Sequence, residues 1–556
     1  MTMQEQMLAH MDQQIREMLT HQQSDGSVIR KDSDTDTRYC GFCLAGMLTC
    51  YAHPSSCFAS GEARETLERG LHSVMRYLAK QARESGMFDL ASCNFDSAPD
   101  TAFTVNALLD CAHVLKTSTM PGTGEALEAL LPIILRACDG ICEGGFHTPN
   151  HRWAIAACLM DAAAFTSDVS QAKRFRGAAS RYLAEGLDIS EDGEFAERSS
   201  GTYNAVNDDQ MLRLFLTTGD RQYLEAARRN LIMMLSYLEP DGSIFTFHST
   251  RQDHGQRVWP GGYFWLYALC GYLSEDPALA AFAMPAWETA MAHGETPRGL
   301  IQFMRFPELE AYIGKVPADR SRIAHYAHLF SHSGIARMRE GNFSVSILAG
   351  KPDFLYVTSG DIGLCMSLYA NVCDKRNFVS EGIEEVSKGH FRLRCRMESW
   401  YYLPYDPGEC DTQDWWEMDS ANTRKKQVRD SLEITVDLIR TADGKGLEIT
   451  VETAGLSKVP LRLELGIAGQ EIRSESFVIP CIPGAGMTVC AGNLEVHGAG
   501  EDVLTIGPCF ASHNVLSAMG GAFRHSADRF VVNLTDHTPC THTITLGSAP
   551  IFPDRL

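Results

Sequence analysis

A chain of 556 residues, 44% hydrophobic and 21% charged, is long enough for two or more packed domains and is not the composition of a disordered tract. Its formal net charge of -21 argues against a general nucleic-acid binder, which needs a basic face, although a local Arg/His cluster still suffices to hold one carboxylate. No stretch approaches the roughly 20 apolar residues of a membrane span.

The opening segment MTMQEQMLAHMDQQIREMLTHQQ is polar and amphipathic, without the apolar run or small-residue cleavage site of a secretory leader. The 18 cysteines are scattered, as at Cys111, Cys158 and Cys270, which is the usage of a reducing cytoplasm, and that is the expected location. Cys40-Gly-Phe-Cys43 has redox or metal spacing but lacks a second pair nearby, so simple burial is expected and no metal is assigned.

From residue 1 to about 320 the apolar residues recur at i, i+3, i+4 and i+7, as in ARETLERGLHSVMRYLAKQARES and RQYLEAARRNLIMMLSYL. Acidic-glycine signals punctuate these helices at Ser24-Asp25-Gly26-Ser27, Glu143-Gly144-Gly145-Phe146, Glu191-Asp192-Gly193 and Asp241-Gly242, the last three about 50 residues apart. Two helices and their connections fill that period. Hairpins of this kind bury their apolar faces against neighbours, and closing the array into an (α/α)6 toroid removes its ends; an open solenoid is the alternative.

Four polar clusters fall on the connections. Asp32-Ser33-Asp34-Thr35-Asp36-Thr37-Arg38-Tyr39, with Asp96 and Asp100 further on, reads as a solvated acidic loop, because it lacks the Gly and distal Glu of a calcium-binding hand. Thr148-Pro149 leaves Asn150, His151, Arg152 and Trp153 at a helix start, where the dipole favours an anion. Glu197 and the run Tyr203, Asn204, Asn207, Asp208 and Asp209 cover the next such entry. His248, Arg251, His254, Trp259 and Tyr263 combine guanidinium and imidazole groups with aromatic faces, the chemistry of an acidic sugar site. Each cluster also has a plainer structural interpretation: Asn150 and Asp208 as helix caps, Trp153 and Tyr203 as packing residues, the third run as a loop tied by an Arg–Asp pair.

After about residue 325 the period changes to two. NFSVSILAG, FRLRCRMESWYYLP, SLEITVDLI, GLEITVETA and FVVNLTDHT alternate between turn residues, which predicts a C-terminal antiparallel β-sandwich over 325–556, with a candidate small terminal sub-sandwich from about 470.

A helical toroid followed by a sandwich, with Asn150-His151 at a helix start and Glu197-Arg198-Ser199-Ser200-Gly201-Thr202-Tyr203 downstream, resembles the heparinase II/III-like polysaccharide lyases. The resemblance implies Asn150 as the holder of a uronate carboxylate, Tyr203 as acid/base, and His151 or His248 as the second proton-transfer group. It also implies a later histidine in the sandwich half, for which His328, His332 and His390 are candidates. Arg152, Trp153, Asn204, Asn207, Glu197, Arg251, His254, Trp259 and Tyr263 are then expected to bind substrate. β-Elimination requires the carboxylate to be neutralised so that the C5 proton becomes acidic, and needs neither metal nor organic cofactor. The expected partner is an oligosaccharide containing uronate, with no nucleic acid and no membrane; a homodimer is left open. The rival chemistry on the same fold is glycoside hydrolysis of glucuronides through carboxylates, with Asp208, Asp209, Glu197, Asp96, Asp100 and Asp36 as candidates. A non-catalytic glycan-binding protein is the remaining alternative.

Overall fold

The computed structural model describes residues 1–30, 34–514 and 528–550. The chain divides into two units, Met1–Leu238 with Gly242–Arg320, and Glu239–Asp241 with Ser321–Leu556.

The first unit is a ring of helix pairs. In chain order the outer and inner members are Met3–Thr20 and Thr37–Ala52, Gly61–Gln81 and Ala98–Thr117, Thr123–Ile141 and Pro149–Ala162, Val169–Leu183 and Tyr203–Thr218, Arg221–Met234 and Phe264–Leu273, then Ala283–Ala292 and Leu300–Arg305. The inner helices Thr37–Ala52, Ala98–Thr117, Pro149–Ala162 and Tyr203–Thr218 pack side by side in that order, and Leu300–Arg305 packs on both Ala98–Thr117 and Met3–Thr20. The sequence pattern separates the two layers. Outer helices carry one buried stripe, such as Leu67, Leu71, Val74, Met75 and Leu78, whereas the inner helix Pro149–Ala162 is buried nearly all round. Each fully buried leucine of such a stripe contributes roughly 1.5–3 kcal/mol.

The glycine signals set the pitch of the ring. Gly193 has φ +94, and a Cβ there would lie 2.7 Å from the Arg229 carbonyl on the next outer helix, so only glycine permits the approach. Gly26 and Gly86 repeat the arrangement against Gly61–Gln81 and Thr123–Ile141, and Gly242, also at positive φ, lies against the Thr289 side chain of Ala283–Ala292. The expected member at Glu143-Gly144-Gly145 is not of this kind: neither glycine has positive φ, and Gly144 instead lies against the Ala98 methyl. Gly86, preceded by serine and not by an acid, takes its place in the series.

A buried ionic knot fastens the ring. Asp110 accepts from Arg213 at 2.9 and 2.5 Å, from Gln302 at 2.9 Å and from Arg305, tying three inner helices together. Arg213 also takes Asp209 at 2.8 Å.

The second unit is a sandwich of two nine-stranded sheets. One centres on Gly446–Gly455, Lys426–Arg440 and His390–Tyr402, the other on Pro460–Ala468, Ile362–Val372 and Asp353–Ser359. The ladders between the named strands are antiparallel among the described residues, save that Gly486–Thr488 runs parallel to Phe530–His537. Period-two burial fills the core: Leu432, Ile434, Val436 and Leu438 from one sheet share a hydrophobic cluster with Leu463, Leu465, Val532 and Leu534 from the other. Strands beyond residue 470 enter these same two sheets, Leu494–His497 and Val503–Gly507 in one and Phe530–His537 in the other, so residue 470 is not a sheet boundary. Among the described residues no helix is long and apolar enough to cross a membrane. All 18 cysteines are free, and Cys40 and Cys43 are buried in Thr37–Ala52 with their thiols pushed up by burial to about 11 and about 12.

Candidate active site

Four inner helices begin at one end of the ring, and the contacts between their first turns show it. Arg38, second residue of Thr37–Ala52, pairs at 3.0 Å with Asp100, in the first turn of Ala98–Thr117. One turn on, Phe103 meets His151 edge-on at 6.0 Å. Asn150, in the first turn of Pro149–Ala162, reaches Glu197, which lies ahead of Tyr203–Thr218. Four helix N-termini therefore face one region, each with the equivalent of roughly half a positive charge.

At its centre is a buried carboxylate. Glu197 is 4% exposed; its Oε2 accepts from the Asn150 backbone at 3.2 Å and from Asn150 Nδ2 at 2.5 Å. Its Oε1 lies 3.2 Å from Arg251, whose guanidinium covers the Tyr203 ring at 4.7 Å. Burial raises the Glu197 carboxyl above the usual range, against the Asn150 and Arg251 contacts that lower it. The Asn150 Oδ1 is buried without a hydrogen-bond partner, and Tyr203 is half-buried with its hydroxyl unbonded among the described residues. His151, beside His147 and within the field of Arg251 and Arg38, is held by burial down at about 4, so its imidazole is neutral at neutral pH.

The structure thus brings Asn150, His151, Glu197, Tyr203 and Arg251 together. It also adds Arg38 and Asp100, which the sequence reading left in a solvated acidic loop. Asp100 is instead 4% exposed and holds Asn94, Ser97 and Arg38. Asp36 is a helix cap that accepts from Tyr39 and Ala91 backbones, Asp96 is exposed, and Asp32 and Ser33 lie outside the described residues.

The other expected residues stand elsewhere. Trp153 is fully buried with its N–H on Asp188 at 2.8 Å, so it offers no stacking face to a sugar. Arg152 lies over that ring and pairs with Glu185 at 2.9 Å, directed away from Asn150's partners because successive helical residues point about 100° apart. His248 is 2% exposed and locked between Tyr237 at 3.1 Å and Glu194 at 3.3 Å, too enclosed to transfer a proton to a sugar. Tyr263 spends its hydroxyl on the Ser200 carbonyl at 2.6 Å inside the core. Asn204 bonds Met234 at 3.5 Å, and Asn207 and Asp208 are fully buried, their side chains without a hydrogen-bond partner among the described residues. Burial and the neighbouring Asp209 push the Asp208 carboxyl well above the ordinary range. Asp209 belongs to the Arg213 knot. Trp259 is stacked on His293 at 3.5 Å with Arg257 over it at 5.0 Å, and His254 is exposed with its Nδ1 on the Ser249 carbonyl. In the second unit His390 is taken by Asp437 at 2.6 Å, and His328 lies between Tyr326 and Phe330. A cavity of about 770 Å³ in the helical unit is lined by Ile15, Met18, Tyr39, Phe42, Leu300 and Ile301; neither Asn150 nor Tyr203 borders it.

No family model matches the sequence, and no curated protein sequence does. Solved structures do. A heparan sulfate lyase HepC mutant from Pedobacter heparinus aligns over 98% of this chain and 84% of its own, at 11% identity and TM-score 0.52. A heparinase III aligns over 97% of this chain and 84% of its own, at 12% identity and TM-score 0.51. The chain has their fold. The toroid-plus-sandwich architecture is common to all three, and at this identity the likeness extends to the fold alone.

Proposed function

We propose that the protein is a lyase that cleaves uronate-containing oligosaccharides by β-elimination. The observation that carries this reading is the Asn150–Glu197–Arg251–Tyr203 chain at the convergence of four helix N-termini. The helix starts and the Arg251 guanidinium are groups that suit a carboxylate.

Exposure separates the roles. Arg251 and Tyr203 retain accessible surface, so Arg251 takes the uronate carboxylate and lowers the cost of negative charge at C5. Asn150 and Glu197 stand behind it and fix its position. Neutral His151 accepts the C5 proton; the C–H electrons become the C4–C5 double bond, the C4–O4 bond breaks, and the Tyr203 hydroxyl protonates the departing oxygen. Charge that develops on the tyrosine meets the guanidinium already lying over its ring. The carboxylates available for hydrolysis support the choice, since Asp100, Asp209 and Glu197 are held by arginines and Asp208 is sealed from solvent.

The test is ultraviolet absorbance of digests of uronate oligosaccharides, run beside aryl glucuronides. Elimination leaves a conjugated double bond that absorbs, and Tyr203→Phe should lower its rate by about 10²–10⁴-fold with the fold intact. Sugar release without new absorbance, abolished by Asp208→Asn or Asp209→Asn and not by Tyr203→Phe, would replace elimination with hydrolysis.

A further inference from the structure

The two sheets of the sandwich are joined late in the chain by a short crossover. Phe530–His537 belongs to one sheet and Thr541–Gly547 to the other, so the residues between them leave one hydrogen-bonded layer and enter the next. Three side chains of different donor chemistry meet at this corner: a carboxylate oxygen of Asp536, the thiol of Cys540 and a ring nitrogen of His542, all within 4.8 Å of one another and each half-buried.

We propose that Asp536, Cys540 and His542 form a zinc site that staples the two sheets at their crossover. The donor set selects the ion. Thiolate and imidazole are ligands for zinc and are not those of calcium or magnesium, which take oxygen. Three protein ligands leave one tetrahedral position to water, and binding releases the Cys540 thiol proton.

The surroundings hold each ligand in place, as the outer shell of a metal site does. Asp536 Oδ1 accepts from Ser512 and from the His537 backbone, both at 2.8 Å, which leaves Oδ2 turned to His542 at 2.6 Å. The His542 ring is stacked on Phe510 at 3.6 Å, with the two planes 3° apart. Thr453 clamps Cys540 by accepting its backbone N–H at 2.8 Å, with the sulfur 3.5 Å from the same hydroxyl. Without an ion, the Asp536–His542 contact is a half-exposed pair of the kind that adds little stability. A metal makes the corner a cross-link between strands of different sheets.

The experiment uses the full-length, tag-free protein, stripped with a chelator and dialysed. Zinc alone is titrated in while binding and the thermal transition are followed, and cobalt(II) is then substituted as a spectroscopic probe. One equivalent of zinc, a raised melting temperature and a thiolate-to-cobalt charge-transfer band are expected. Cys540→Ser should abolish the band, and it and His542→Ala should each weaken zinc binding by at least about tenfold. Absence of stoichiometric uptake by the unsubstituted protein, or uptake without the thiolate band, overturns the assignment even if the variants fail to fold. Elimination activity is not part of the readout, so the outcome is independent of the proposed reaction.

Discussion

Glu197→Gln tests whether the buried carboxylate organises the site. The substitution keeps shape and volume and removes one charge. One oxygen of Glu197 accepts two donors from Asn150, and the other faces Arg251. A glutamine amide presents one oxygen and one NH2, so one orientation aims NH2 at the Asn150 donors and the other aims it at the guanidinium. Either way a charge-assisted contact becomes a donor–donor contact, at about 1.5–3 kcal/mol for each such bond lost. The Arg251 side chain is 26% exposed, so solvent screens part of its loss and a total of about 2–4 kcal/mol is expected. If that energy holds Arg251 over Tyr203, kcat/KM for elimination falls by about 30- to 1,000-fold, one decade for roughly each 1.4 kcal/mol. The assay is initial rate by ultraviolet absorbance alongside a thermal melt. A variant that melts several degrees lower yet cleaves at the unsubstituted rate would refute the positioning role, and one unchanged in both would refute the network.

Asp208→Asn removes a buried carboxyl whose folded pKa lies well above its unfolded one. The native state then binds more protons than the unfolded chain, so stability present below the unfolded pKa, near 4, is lost as pH rises toward the raised value. The variant should match the parent in acid and exceed it progressively above that range, in melts taken across pH. His151→Gln has the opposite sign: the folded value of about 4 lies under the ordinary 6.5, so the parent loses stability as pH falls between these values and the variant should lose less. Asp110→Ala leaves Arg213 and Arg305 without their shared partner inside the ring and should cost about 3–5 kcal/mol, read by chemical denaturation. Trp153→Phe should lower stability by about 1–3 kcal/mol through loss of the indole donor to half-buried Asp188 while KM is unchanged; a rise in KM alone would return Trp153 to the sugar site.

What the sequence makes legible is local, whereas which of the residues read from it meet is decided over long distances along the chain. A change of hydrophobic period from 3.6 to two is local, so helices and strands are legible from neighbours alone. The Asn150 helix start is legible for the same reason, from Thr148-Pro149. Its partner Glu197 lies 47 residues away and Arg251 a further 54, so their bond depends on how the hairpins stack, which no local pattern encodes. Arg38 escapes for this reason: beside three aspartates in sequence it looks solvated, yet its counter-ion Asp100 is on the next inner helix.

Inner helices of a ring defeat the usual inference from polarity. Wrapped by neighbours on nearly every side, they show little amphipathic contrast, so Trp153, Asn204, Asn207 and Asp208 look like cleft residues when read beside Asn150 and Tyr203. What separates them is which neighbouring segment each side chain meets. Asn150 and Trp153 lie three residues apart on one helix, yet one meets Glu197 and the other Asp188. The same enclosure makes the site possible. Parallel inner helices, forced to start at one end by the outer-to-inner order of each pair, bring their N-termini together. The order of the hairpins thus gathers Asn150, Glu197 and Arg251, which no basic run in the sequence announces.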